Sequence, residues 1–181
     1  MAIRYALLGL LTKGPHSGYD LHSTFKTQHI YFWNSTHSQV YQELNKMRDE
    51  ELVTYETIVQ EGSPNKKLYS ITHKGEKRLI EWMMEEAVKP AKIKDEFLLR
   101  ASAFQAISVE EAVTLLERIL AREKAILAGT SQWQLEHYGE QDYPSYLEIG
   151  SYLTSEFGKR YAKMYVEWCE WALELLESYR A

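Results

Sequence analysis

Cysteine is almost missing from this sequence. The single one, Cys169, cannot form an internal disulfide, and no Cys/His spacing suits a zinc site. It lies in an apolar helical pattern between Trp168 and Trp171, where a thiol serves as core filler rather than as a redox sensor. Long apolar runs are absent too: none approaches the ~18 residues of a membrane span. The N-terminus lacks the charged, apolar, small-residue order of a signal peptide. A soluble, cytoplasmic protein with no membrane partner is expected. There is no glycine-rich phosphate loop and no nucleophile motif, and His16, His22, His29, His37 and His73 contain no i,i+4 pair. These gaps point away from an enzyme and from any metal or cofactor. A surplus of positive charge is missing as well. With a net charge of −5 and a pI near 5.7, the chain is no nucleic-acid coat held by charge alone.

What is present suits one large domain or two small ones, since 181 residues with 45% apolar content can build a core. Charge is unevenly spread. Residues 1–86 carry 10 Lys/Arg against 11 Asp/Glu, and residues 87–181 carry 11 against 15. The near-neutral first part leaves room for a local basic face.

The stretch Ser35 to Leu52 reads as one amphipathic helix. Val40, Leu44, Met47 and Leu52 fall near helical spacing and form an apolar stripe. Thr36 followed by Gln39 fits a capping box, which fixes the start. The outer face carries His37, Ser38, Gln39, Tyr41, Gln42 and Lys46, all able to hydrogen-bond and none acidic. Such a face suits a DNA groove and its phosphates. On its own it equally fits a solvated surface helix, so its neighbours decide.

Ile3 to Leu11 is apolar on most sides and reads as a buried first helix, stopped by Lys13-Gly14-Pro15. Ser17 caps a second helix, with Asp20 favoured in its first turn and Tyr19, Leu21 and Phe25 as apolar contacts. After the Ser35–Leu52 helix the period shortens. Val53, Tyr55, Thr57 and Val59 alternate with Thr54, Glu56 and Ile58, and Lys66 to Thr72 gives a second strand after a Gly-Ser-Pro-Asn turn. Three helices followed by a hairpin is the order of a winged helix-turn-helix. A further helix runs from Thr72–His73 through Leu79, Ile80, Trp82 and Met83 to Val88-Lys89-Pro90, where the domain boundary is placed.

The remainder reads as helical. Lys94 to Ala106 carries Phe97, Leu98, Ala101 and Phe104 at helical spacing. Ser108 opens a long helix that can extend past Gly129 to Trp133 and Tyr138, and Gly139 to Ser145 is a polar loop. In the last helix, about Tyr146 to Tyr179, Phe157, Tyr161, Met164, Trp168, Trp171 and Leu175 recur as a short heptad seam. A layer this aromatic suits self-association. The fold class is therefore mainly α. An N-terminal winged helix-turn-helix of three helices plus a two-stranded wing covers 1–88, and an all-helical dimerisation and effector-response domain covers 89–181.

Y-A-L-L-G-L-L (5–11), S-G-Y-D-L (17–21), F-W (32–33), H-S-Q-V-Y-Q-E-L (37–44), K-K-L-Y-S-I-T-H-K-G (66–75) and K-D-E-F-L-L-R (94–100) together resemble the PadR family of bacterial transcriptional regulators. The resemblance covers nearly the whole chain and is strongest to the phenolic-acid-responsive branch. Gln42 departs from it, standing where much of the family has proline. The resemblance implies a homodimeric repressor on an inverted-repeat operator in double-stranded DNA. Small aromatic acids such as p-coumarate or ferulate would release it and derepress a phenolic acid decarboxylase gene. The alternative is a regulator of the same plan with another ligand, of multidrug type, or with none.

In such a protein Ser38, Gln39 and Gln42 are the candidates for base readout, Gln39 first among them, and Thr36, Tyr41, Lys46, Lys66 and Lys67 for phosphate contact. An aromatic acid needs an apolar slot, a cation or amide and a hydroxyl partner. Tyr19, Phe32, Trp33, His37, Lys94, Arg100 and Trp133 are the candidates, meeting where the two domains touch if the family plan holds. His37, at the start of the recognition helix, would link ligand to DNA.

Overall fold

Ile3, Leu7, Leu8, Leu10 and Leu11 need cover on nearly every side of the first helix, and the N-terminal part of the chain is built around meeting that need. The computed structural model describes residues 2–28, 35–59, 62, 65–85, 93–139 and 144–180. Contacts divide the chain into Met1–Pro90 and Ala91–Ala181, each with its own core.

In the first unit, α1 (Ala2–Leu11), α2 (Gly18–Gln28) and α3 (His37–Asp49) bury Leu21, Phe25, Val40, Leu44 and Met47 against the α1 leucines. Strands β2 (Val53–Ile58) and β3 (Lys66–Ile71) pair antiparallel, with Tyr55 opposite Tyr69. The expected two-stranded wing gains a third strand. Residues His16–Ser17, β1, pair with Tyr69 and Leu68, giving the sheet order β1-β3-β2. Ser17 is also the expected cap of α2: its hydroxyl accepts from the Asp20 amide at 3.1 Å and donates to the Asp20 carboxylate at 2.7 Å. Tyr19 departs from its expected core role and is 68% exposed, because it points off the first turn of α2 on the side away from Leu21.

The turn after α3 is held from two sides. The Leu52 amide donates to the Met47 carbonyl and the Glu51 amide to the Arg48 carbonyl, the pattern of a Schellman cap. Glu51 occupies its left-handed position at φ 61°. Helix α4 (His73–Met83) then closes on this turn. Thr72 caps α4 and donates its hydroxyl to the Glu51 and Leu52 carbonyls. Gly75 sits so near that a Cβ there would lie 2.2 Å from the Leu52 carbonyl oxygen. Leu79 joins the core and Trp82 stacks on Tyr5 at 4.5 Å, whereas Ile80 and Met83 face outward.

The second unit is helical among its described residues. The helix expected from Lys94 to Ala106 is instead two pieces, α5 (Glu96–Ala101) and a single 3-10 turn at Phe104–Ala106. The cause is local. Asp95 caps α5 by accepting from the Phe97 and Leu98 amides, so the helix begins only after it, and the chain turns at Ser102 and Ala103. Asp95 also accepts a 2.8 Å bond from the Tyr165 hydroxyl, fixing α5 to the last helix. Burial and that carboxylate push the Tyr165 phenol up.

Helices α6 (Val109–Tyr138) and α7 (Ile149–Glu177) pack antiparallel. Gln134 donates to the buried Ser155 hydroxyl at one end, Lys124 pairs with Glu170 further along, and Leu116 meets Cys169 in the core. Gly129 does not interrupt α6. The buried face of α7 consists of Ser155, Gly158, Ala162, Tyr165, Val166 and Cys169. It runs beside the aromatic seam expected from the sequence. Of that seam, Tyr161 and Trp168 are half-buried against the core, while Phe157, Met164, Trp171 and Leu175 are 42% to 58% exposed. Cys169 is fully buried, and burial first, then Glu123, pushes its thiol up to about 11, which suits core filler and not a sensor. Among the described residues no helix is long and apolar enough to cross a membrane.

Candidate nucleic-acid interface

Helix α3 opens as its sequence dictates. The Thr36 hydroxyl accepts from the Gln39 amide at 3.3 Å, and the Gln39 side-chain oxygen accepts from the Thr36 amide at 2.9 Å, completing the capping box. The apolar stripe turns Val40, Leu44 and Met47 inward. One acid, Glu43, turns inward with them. It is buried and meets the Arg4 guanidinium at 2.7 Å, while the two terminal nitrogens of Arg4 clasp Glu50 at 2.8 Å each. This network leaves the outward face of α3 free of acid from Ser38 to Lys46. Ser38, Gln39, Gln42, Asn45 and Lys46 are all exposed there. Asp49 ends the face and is paired to Arg48 at 2.6 Å.

Asn45 is the member that sequence reasoning missed. Its spacing of seven from Ser38 and three from Gln42 already puts it on the same face. Among the described residues the side chains of Ser38, Gln42, Asn45 and Lys46 have no hydrogen-bond or ion-pair partner. Gln39 differs, because its oxygen is already held by the cap.

Tyr41 and the hairpin form the side wall. Tyr41 leans over Gly18 so closely that a Cβ at 18 would meet its ring at 2.6 Å, so only glycine permits this contact. Ser17, Gly18, Tyr19, Tyr41, Asn65, Lys66 and Lys67 line one open concavity of about 650 Å³. The two lysines there are not equivalent. Lys66 reaches Asp20 at 3.3 Å, and Ser17 first, then Lys66, holds the Asp20 carboxyl below its ordinary range. Lys67 lies over the Tyr55 ring at 4.3 Å with its ammonium exposed. A row of free amides and hydroxyls beside a lysine-bearing concavity can take a nucleic-acid groove and its flanking phosphates.

The residues expected at an effector site fall in different places. Tyr19 lines the concavity just described. His37 begins α3, with its ring 4.5 Å from Tyr41 and edge-on to His22 at 5.2 Å. Phe32 and Trp33 lie outside the described residues. In the second unit Lys94 is exposed just before α5, and Arg100 is paired with Glu96. Trp133 stacks on His137 at 4.0 Å. It is 17 positions along α6 from Leu116, the core residue beside Phe97 of α5, or about 25 Å at the helical rise. Within that unit Lys94 and Arg100 are therefore not brought to Trp133. Among the described residues, no group of three or more His, Cys, Asp or Glu side chains is placed to hold a metal.

Comparison with known proteins agrees with this geometry. Residues 7–81 match the family described as transcriptional regulator PadR-like, and residues 93–177 match the region described as virulence activator alpha C-term. The chain is 36% identical to the negative transcriptional regulator PadR of Bacillus subtilis over 177 residues, 97% of either protein. The crystal structure of Bacillus subtilis PadR in complex with operator DNA is similar with a TM-score of 0.85 and 35% identity, covering 97% of this chain and 99% of that one. The same protein in complex with p-coumaric acid gives 0.80 and 34%, covering 98% and 99%. These relatives are transcriptional regulators and not enzymes.

Proposed function

The chain belongs to the PadR family of transcriptional regulators, and from that premise we propose that it is a homodimeric repressor of an inverted-repeat operator, released by a phenolic acid. The observation that carries the DNA-binding part is the acid-free outer face of α3. Glu43 is turned inward and neutralised by Arg4, so amides, a hydroxyl and Lys46 alone face a groove. Lys66, Lys67 and Tyr41 supply the flanking phosphate contacts, and Thr36 the contact at the helix start. Palindromic half-sites need two readers. The exposed seam of Phe157, Met164, Trp171 and Leu175, with Tyr161 and Trp168 beneath it, is the proposed dimer surface.

The effector reading draws support from the relative solved with p-coumaric acid. Lys94 and Arg100 are the proposed partners of the acid group, and Tyr19 and His37 the proposed aromatic and polar ones; Trp133, about 25 Å along α6 from the core beside α5, is left out of that site. p-Coumarate or ferulate binding would then derepress a phenolic acid decarboxylase gene. A second reading, a regulator with another ligand or none, is favoured by the match of residues 93–177 to a virulence activator region. Fluorescence anisotropy on an operator duplex, with and without p-coumarate and ferulate, tests the proposal. Release by either acid is expected. Binding that neither acid alters favours the second reading, and no binding to any duplex overturns the DNA-binding reading.

A further inference from the structure

An amide reads adenine only when its oxygen and its nitrogen are both available, since the base offers one donor and one acceptor side by side. Gln39 is poorly placed for this in the folded helix, because its oxygen is held against the Thr36 amide at 2.9 Å and turning the amide onto a base edge would break that cap bond. Gln42 and Asn45 meet the condition. Both are exposed, and among the described residues neither side chain makes a hydrogen bond.

Their placement is as telling as their freedom. Three positions apart on a helix, they are separated by about 60° around the axis and about 4.5 Å along it. That advance is close to the roughly 3.4 Å between successive bases on a strand. Ser38 lies on the same line toward the helix start, and Lys46 stands beside Asn45 as an exposed cation. Beyond them Asp49 is taken up by Arg48, which ends the readable face. Asn45 meanwhile has no local reason to be asparagine. It caps nothing, is exposed, and is a poorer helix former than alanine.

We infer that Gln42 and Asn45 form a paired amide reader for two neighbouring A·T base pairs, with Asn45 a specificity-determining residue and Gln39 serving to hold the helix start. This rests on the DNA-binding reading proposed above. The test is selection of binding sites from random duplexes by the full chain and by its Gln42→Ala, Asn45→Ala and Gln39→Ala variants, with helicity measured for each. The native chain is expected to enrich a motif containing two adjacent A·T pairs. Gln42→Ala and Asn45→Ala are each expected to lose preference at one of them by about tenfold, while Gln39→Ala keeps both. Asn45→Ala removes no side-chain hydrogen bond or ion pair shown among the described residues and improves helix propensity, and the helicity measurement checks that its loss of preference is not unfolding. An Asn45→Ala motif identical to the native one overturns the inference. So does loss of an A·T position in Gln39→Ala alone. A native chain that enriches nothing overturns instead the DNA-binding reading beneath it.

Discussion

Arg4 donates its Nε to the buried carboxylate of Glu43 at 2.7 Å, tying α1 to the inner side of α3. The guanidinium and the carboxylate compensate each other's desolvation, so removing one strands the other. Arg4→Met is expected to lower the stability of the first unit by on the order of 3 kcal/mol. Adding Glu43→Leu should recover much of that loss. Urea unfolding of the two variants decides it, and a double variant no better than the single one would show the pair is not the source.

Acid should weaken the same unit. Hydrogen bonding to Arg4 holds the Glu50 carboxyl below its ordinary range, and Ser17 and Lys66 do the same for Asp20. A carboxyl with a depressed folded pKa contributes stability above its unfolded pKa and loses it as pH falls through the folded one. The loss should therefore set in at about pH 5, as unfolded carboxyls with pKa values near 4 begin to protonate, and deepen below it. Unfolding midpoints measured between pH 6 and pH 3 should fall less steeply for Glu50→Gln than for the native chain.

The capping box separates stability from recognition. Thr36→Ala should cost about 1 kcal/mol through loss of the cap. Gln39→Glu keeps an acceptor for the Thr36 amide and places negative charge at a helix start, so its melting temperature should be held or raised. Its affinity for an operator duplex should nevertheless drop, because that carboxylate faces the phosphates. Unchanged affinity would mean that the start of α3 does not approach DNA.

Lys67 and Lys66 should differ in salt dependence. Lys67 keeps its ammonium exposed over Tyr55, so Lys67→Ala should lower the slope of log affinity against log salt by about 1. Lys66 already has Asp20 as a counter-charge at 3.3 Å, and its alanine variant should lower the slope less. Equal slopes for both variants would remove this distinction.

Trp171 is 58% exposed, the most exposed residue of the proposed dimer seam. A tryptophan buried by a partner is a common hot spot. Trp171→Glu should halve the mass seen by light scattering at micromolar concentration and should leave helicity unchanged. A variant of native mass would place the interface elsewhere.

The parts legible in the sequence were those decided locally. Thr36 and Gln39 stand three apart and close a capping box with no help from the rest of the chain. Alternation from Val53 onward gave the hairpin. Strand β1 was hidden because two residues show no period and His16–Ser17 become a strand only by pairing with β3. The break after Ala101 was hidden because Phe104 continues the helical spacing of Phe97 although the backbone between them turns. The buried seam of α7 was hidden for a third reason: Ser155, Gly158 and Ala162 let helices approach by being small, and hydropathy does not mark smallness. At the candidate interface, residue types named the reading face, but only the folded cap shows that the Gln39 oxygen is occupied and that the amides of Gln42 and Asn45 are not.

The enclosure of Cys169 has a practical outcome. The only native thiol is fully buried and held mostly protonated at neutral pH. Maleimide chemistry on the folded chain will therefore report a cysteine introduced on an exposed helix face and nothing else. Fluorophores can be attached one site at a time, in α3 or along α7, without first building a cysteine-free background.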